Sequence, residues 1–324
     1  MMLFILGDLF AQDNSITFDY IWENYQTTPE QVGRLDLEYY DFGETRNIWA
    51  RSLLVRALLI QDKVGPARVK YRYYIEPIRD KAKDISTRIE LMSMEAYLLK
   101  KEMFFAQSDS IYDAVIDQSL AWRAANDNEQ LLDGQIALAY FHKAGIRREL
   151  AQKDSVSKYY ELAVEWGKIK GRDDIVYDAL INYSLHNISV MERFESAEQQ
   201  MQAAKDLALN TPKSEVLYNM ADARMLANRD HEFDAALTLL HDTREIAFAN
   251  QEYDLWRNMA TMIMQIEVMQ EKYEYEKTMR FFGFLGFLLV VIVGYWNYKL
   301  IYTKKELQKK LVVKYHDKRI KGNY

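Results

Sequence analysis

Cysteine is absent from all 324 residues. That excludes a disulfide framework and a zinc site built on thiolates, and it leaves no amino-terminal Cys to carry a lipid. Proline and glycine are nearly absent, at 4 and 12 residues, against average usage of about 5% and 7%. No proline lies between Pro77 and Pro212, so nothing of that kind interrupts a helix through the centre of the chain. Asn-Gly and Asp-Gly hairpin turns are missing too, apart from Asp133-Gly134 inside a helical pattern, which leaves no signal for paired strands. The sequence also lacks a G-x-x-x-x-G-K-[ST] loop and a G-x-G-x-x-G turn, the usual cradles for phosphates. Five histidines, His142, His186, His231, His241 and His316, are scattered. His231-Glu232 does not continue as H-E-x-x-H, because Ala235 stands where the second His belongs. With no nucleophile, base and oxyanion donor to assemble, neither an enzyme, a metal nor a cofactor is expected.

Helical punctuation is what the chain has instead. Thr28-Pro29-Glu30 places a cap and then proline at the first helical position, and Gly65-Pro66 and Thr211-Pro212 mark breaks. Asn126-Asp127-Asn128-Glu129 and Gly171-Arg172-Asp173-Asp174 read as turns that cap the helices after them. From cap to cap the pattern predicts helices over 17–25, 29–41, 44–62, 66–82, 85–106, 109–125, 129–149, 154–169, 173–190, 192–209, 213–228 and 231–249. A last long helix starts near Glu252, with Trp256, Met259, Ile263, Ile266 and Tyr273 on one face. The fold class is all-α.

Helices of this length in sequence order invite a search for repeats. Tyr160-Glu161-Leu162-Ala163 recurs as Phe194-Glu195-Ser196-Ala197 and as Phe233-Asp234-Ala235-Ala236. In each, a small alanine lets two helices approach, and the aromatic three residues earlier fills the adjoining gap. This aromatic-x-x-Ala pair at a helix-turn-helix spacing resembles the tetratricopeptide repeat, fairly over 129–250 and faintly over 44–125. The resemblance implies an α-solenoid of helix pairs whose groove takes a protein or peptide partner. By the register it sets, Asn182 and His186 are the candidate groove residues, on one helical face with Ala179 and Ser189.

One run is long and apolar. From Phe281 to Tyr298 there are eighteen residues without a charge, Gly286 and Val290 among them, ending in Tyr295, Trp296 and Tyr298. About 20 apolar residues span a hydrocarbon core of ~30 Å, and aromatic residues collect at its edges. After this run nine Lys or Arg stand against two acids, a balance of +7, while the whole chain is −6, so the residues before Lys299 carry −13. Basic segments stay on the cytoplasmic side. The expected organisation is a truncated signal peptide over 1–12 (apolar, ending at Ala11, without a basic start), a repeat domain over 13–250, a connecting helix over 251–280, a transmembrane helix over 281–300 and a basic cytoplasmic tail over 301–324. The chain would sit in the plasma (inner) membrane with its repeats extracytoplasmic and its tail against membrane lipid.

This layout resembles the extracytoplasmic sensor half of bacterial tetratricopeptide-containing sensor kinases and LuxR-type regulators, without their output domain. It implies a binding or sensor module that passes a signal through the span. A homodimer through the membrane-proximal helix is a further expectation, with Leu300, Leu307 and Leu311 as the start of a seam. Nucleic acid is not an expected partner. The alternatives are a passive envelope scaffold and a cytoplasmic solenoid held by a carboxy-terminal anchor.

Overall fold

A computed structural model describes residues 17–25, 28–35, 37, 44–79, 82, 84–126, 131–250 and 252–321. The expected leader at 1–12 lies outside them. Among the described residues every regular element is helical. The chain forms two compact units, Met1–Ile266 and Glu267–Tyr324.

The first unit opens with α1 (Phe18–Asn24), whose Thr17 cap accepts a hydrogen bond from the Tyr20 amide at 3.1 Å. Helix α2 (Pro29–Gly33) starts on its proline. It stops well short of the expected 41, at Gly33, and residues 36 and 38–43 are outside the described part. Five helix pairs follow. They are α3 (Glu44–Ile60) with α4 (Val64–Lys70), α6 (Ile85–Lys101) with α7 (Phe105–Ala125), α8 (Asp133–Glu149) with α9 (Lys153–Lys170), α10 (Asp173–His186) with α11 (Phe194–Asp206), and α12 (Pro212–Met225) with α13 (Phe233–Ala249). Helix α4 begins two residues earlier than expected, because Pro66 sits in its first turn, where no amide is required. A π turn, Tyr71–Ile75, leads α4 into the short α5 (Glu76–Arg79). Two more π turns, Asn187–Met191 and Leu226–Asp230, extend α10 and α12.

The pairs share one joint. After the first helix of each pair a single non-glycine residue turns left-handed: Asp62, Met103, Ala151, Glu192 and His231, with φ between 52° and 64°. The next residue returns its amide to the helix it has just left. Lys63 bonds the Leu58 carbonyl at 2.9 Å, Phe104 that of Leu99 at 2.9 Å and Gln152 that of Arg147 at 2.9 Å. This is the six-to-one bond that closes a helix end. Where α10 and α12 end in π turns the bond spans one residue more, from Arg193 to Asn187 and from Glu232 to Leu226. Gly171, at φ +69°, closes α9 in the same way with Arg172 bonding Gly167.

The first helices also pack on one another in succession, α3 on α6, α6 on α8, α8 on α10 and α10 on α12. In a curved stack the layer whose members touch lies on the inside, so these five form the inner face. The arrangement is an α-solenoid of the tetratricopeptide type. Its seams hold the repeat residues: Tyr160, Ala163, Ala197, Phe233 and Ala236 are buried, and Phe194 packs partly buried against Ala197 and its cluster. The opening of α14 (Tyr253–Lys321) completes the stack, with Met259, Met262, Ile263 and Ile266 buried.

The second unit is the remainder of α14. Residues 271–312 are exposed apart from Glu276. An eighteen-residue window of mean hydropathy 1.9, none of it buried, makes this helix long and apolar enough to cross a membrane.

Candidate functional site

The inner face of the solenoid carries charge in an ordered row. Arg56 on α3 pairs with Glu90 on α6, and the Gln135 amide of α8 donates to the other oxygen of Glu90 at 2.7 Å. Glu90 is only 3% exposed. A carboxylate so placed is tolerable only because both oxygens have partners. Each partner comes from a different helix, so this rung fixes the stagger of α3, α6 and α8.

Two turns along α6, Tyr97 packs against the His142 ring of α8, tilted by 38° with centroids 5.0 Å apart. Tyr112 and Phe141 enclose the same imidazole. Burial holds His142 well below the ordinary histidine range, and the cations Lys100 and Arg56 push the same way. His142 is therefore a neutral ring within an aromatic cage. Lys100 lies beside it. Its ammonium makes no hydrogen bond or ion pair among the described residues, and a Cβ at position 145 would stand 2.8 Å from it, so Gly145 is the residue that leaves it room. Burial, then the charges of Arg148 and Lys101, push the Lys100 amine down to about 8.

Further along, Lys213 at the start of α12 bonds the Asp178 carboxylate of α10 at 2.5 Å. Its field reaches Tyr97 and His142, so the inner helices converge on one lining. At the edge stand four alternating charges. Lys101, at the end of α6, bonds Asp254 of α14 and approaches Asp62 to 3.5 Å. Arg257 of α14 bonds the same Asp62 at 2.5 Å. Burial works to raise the Asp62 carboxyl, but Arg257 and Lys101 outweigh it and hold it low. The result is a lining of mixed charge and aromatic faces.

The residues singled out in the sequence lie on α10 and the π turn after it, with Asn182 one turn beyond Asp178. The Asn182 amide is only part-exposed and donates at 2.8 Å to the Asp178 carbonyl of its own helix. His186 is 2% exposed, and burial lowers its pKa. Ala179 is fully buried and Ser189 exposed. Arg56, Glu90, Tyr97, Lys100 and Gln135 went unmarked in the sequence, because each acquires its meaning from a helix 34 or more residues away. Among the described residues no group of three or more His, Asp or Glu converges as a metal site. A separate cleft of about 450 Å³ opens between α10, the end of α11 and α12, lined by Tyr177, Lys205, Pro212 and Tyr218.

In the second unit Phe281, Val290, Tyr295, Trp296 and Tyr298 are each more than half exposed, and a Cβ added at Gly286 would meet no side chain within 4 Å. Soluble proteins rarely leave so much contiguous apolar surface uncovered.

No protein-family model matches the chain, and no curated protein matches it. Among solved structures it is similar to a Rap protein complexed with competence and sporulation factor, at 11% identity and a TM-score of 0.49 over 82% of this chain and 80% of that one. It is also similar to BtubC (BKLC) from P. vanneervenii, at 13% identity and a TM-score of 0.42 over 79% of this chain and 93% of that one. At these scores neither likeness speaks to function.

Proposed function

We propose that this chain is a membrane-anchored binding module. Its solenoid holds a protein or peptide segment along the charged inner face, and residues 281–298 of α14 cross the bilayer. The repeats then lie outside and the Lys-rich end inside, by the preference of basic flanks for the cytoplasm. The observation that carries the reading is the exposed, uncharged stretch of α14, which hydrocarbon would cover and water would not. The role is binding rather than catalysis, with no cofactor, since among the described residues the inner face presents pairing and aromatic groups but no nucleophile with its base. No Pro or Gly falls between Glu252 and Phe282, and a single helix Tyr253–Lys321 joins the solenoid to the apolar stretch. That favours a sensor over a passive scaffold, because small helix shifts are an established way of passing a signal.

The test is a pair of fusions in a bacterial host. A reporter active only outside the cytoplasm is placed after Asn250, and one active only inside after Tyr324. Both should be active, and the protein should stay with membranes through alkaline carbonate washing. A silent first reporter on full-length protein overturns the orientation, and extraction by carbonate overturns the span.

A further inference from the structure

The four charges at the edge of the inner face have a second meaning. Asp62 sits in the joint between α3 and α4, Lys101 ends α6, and Asp254 and Arg257 belong to the first two turns of α14. Asp62 and Arg257 are 195 residues apart in sequence, and Lys101 and Asp254 are 153 apart. The ring therefore ties the opening of α14 back to the first two repeats rather than to the neighbouring ones. It is only partly shielded from water: Lys101 and Asp62 side chains are 20% and 19% exposed, Asp254 36% and Arg257 58%. Ion pairs at such depth are weak singly and yield to salt and to competing charge. Lys101 is also shared. Its ammonium lies over the Tyr97 ring at 5.7 Å, and its charge bears on Lys100 and His142. A cation that fastens α14 is thus also part of the lining.

We propose that Asp62, Lys101, Asp254 and Arg257 form a latch that holds the first turns of α14 against the solenoid, and that an acidic peptide segment lying on the inner face opens it by taking Lys101 from Asp254. The idea rests on the binding role proposed above for its effector, but the latch itself can be tested without any partner.

The measurement is hydrogen exchange of the amides over 253–266 in the full-length protein, held in detergent micelles. Lys101→Met and Asp254→Asn should each speed exchange there by about two- to five-fold, the range expected for weak, part-exposed pairs, and leave the amides of α8 and α9 unchanged. The two changes together should give no more than either alone, since they remove the same bond. Unchanged exchange over 253–266 in both variants refutes the latch, whatever the protein binds. The effector is then tested on the unmodified protein with a short all-glutamate peptide, against an all-lysine peptide of equal length and NaCl at matched ionic strength. Faster exchange with glutamate only is the expected result, and it should vanish in Lys101→Met. Equal effects of peptide and salt, or none from the peptide, refute the opening by an acidic segment while leaving the latch standing.

Discussion

Lys100→Met should make the protein more stable, and the gain should depend on pH. Methionine keeps most of the methylene stem and removes the charge. In the folded chain burial, then the charges of Arg148 and Lys101, outweigh Glu149 and take the ammonium's pKa from 10.5 to about 8, and it has no hydrogen bond or ion pair among the described residues. At ~1.36 kcal/mol per pH unit, that gap corresponds to a folded-state penalty of at most about 3.5 kcal/mol while the amine stays protonated. Local relaxation and water penetration around the ammonium reduce it to roughly 1–2 kcal/mol. The sign follows from linkage. The folded pKa lies below the unfolded one, so the penalty is present in full below about 8 and fades as pH rises towards 10.5, where both states lose the proton. In full-length protein in detergent, the melting temperature of Lys100→Met at pH 7 should exceed that of the parent by about 2–6 °C, at the shift expected for a unit of this size. The two curves should converge as pH approaches 10.5. A variant that melts at or below the parent at pH 7, or whose advantage does not change with pH, would show that the ammonium has a partner there and that the reasoning is wrong.

Other perturbations test the packing. Ala197→Leu and Ala236→Leu, both at fully buried seams, should each cost about 1–3 kcal/mol by overpacking. Ala125→Leu at the exposed end of α7 should stay within about 0.5 kcal/mol; equal thermal shifts at all three positions would contradict the seams. Acid should destabilise the fold. Burial depresses His142 and His186, so stability is complete above the unfolded histidine value of about 6.5 and falls as pH drops below it. His142→Phe should flatten that fall between pH 7 and 5, and an unchanged slope would show that this ring is not the group taking up the proton. Gly171→Ala, at φ +69°, should cost about 1–2 kcal/mol, read from urea unfolding beside Gly65→Ala, where nothing stands within 4 Å of an added Cβ and no loss is expected.

Much of the fold was legible because caps and seams are local. Thr211-Pro212 reads as a helix start, and the structure closes it with a capping box in which Thr211 and Ser214 satisfy each other's amides. The alanines of the repeat are legible for a similar reason: only a small residue admits a close helix. The π turns were not. Asn187–Met191 and Leu226–Asp230 carry no proline or glycine, and the wider turn is set by what it packs against. The inner face was the least legible part. Lys100-Lys101 at the end of α6 looks like an ordinary complement to a helix dipole. Its neighbours His142, Asp254 and Asp62 lie in other helices and turns, and periodicity reports which face a residue occupies, not which helix meets it.

The five joints have an evolutionary consequence. Asp, Met, Ala, Glu and His occupy the same left-handed position, although a side chain there is disfavoured and glycine would be the easy choice. The geometry is dictated by the two helices it connects and by the returning amide bond, so the residue type is free to drift. A joint of this kind accepts almost any substitution over time. Its length takes two values, a return to the fifth residue back at three joints and to the sixth after the two π turns, and any other length would separate the amide from its carbonyl. The intervals between successive joints, 41, 48, 41 and 39 residues, differ by more than the one residue that separates the two kinds of joint, so most of the difference lies in the helices and in the connections between pairs. Descent in such a chain is written in spacing and backbone shape long after the letters have been exchanged.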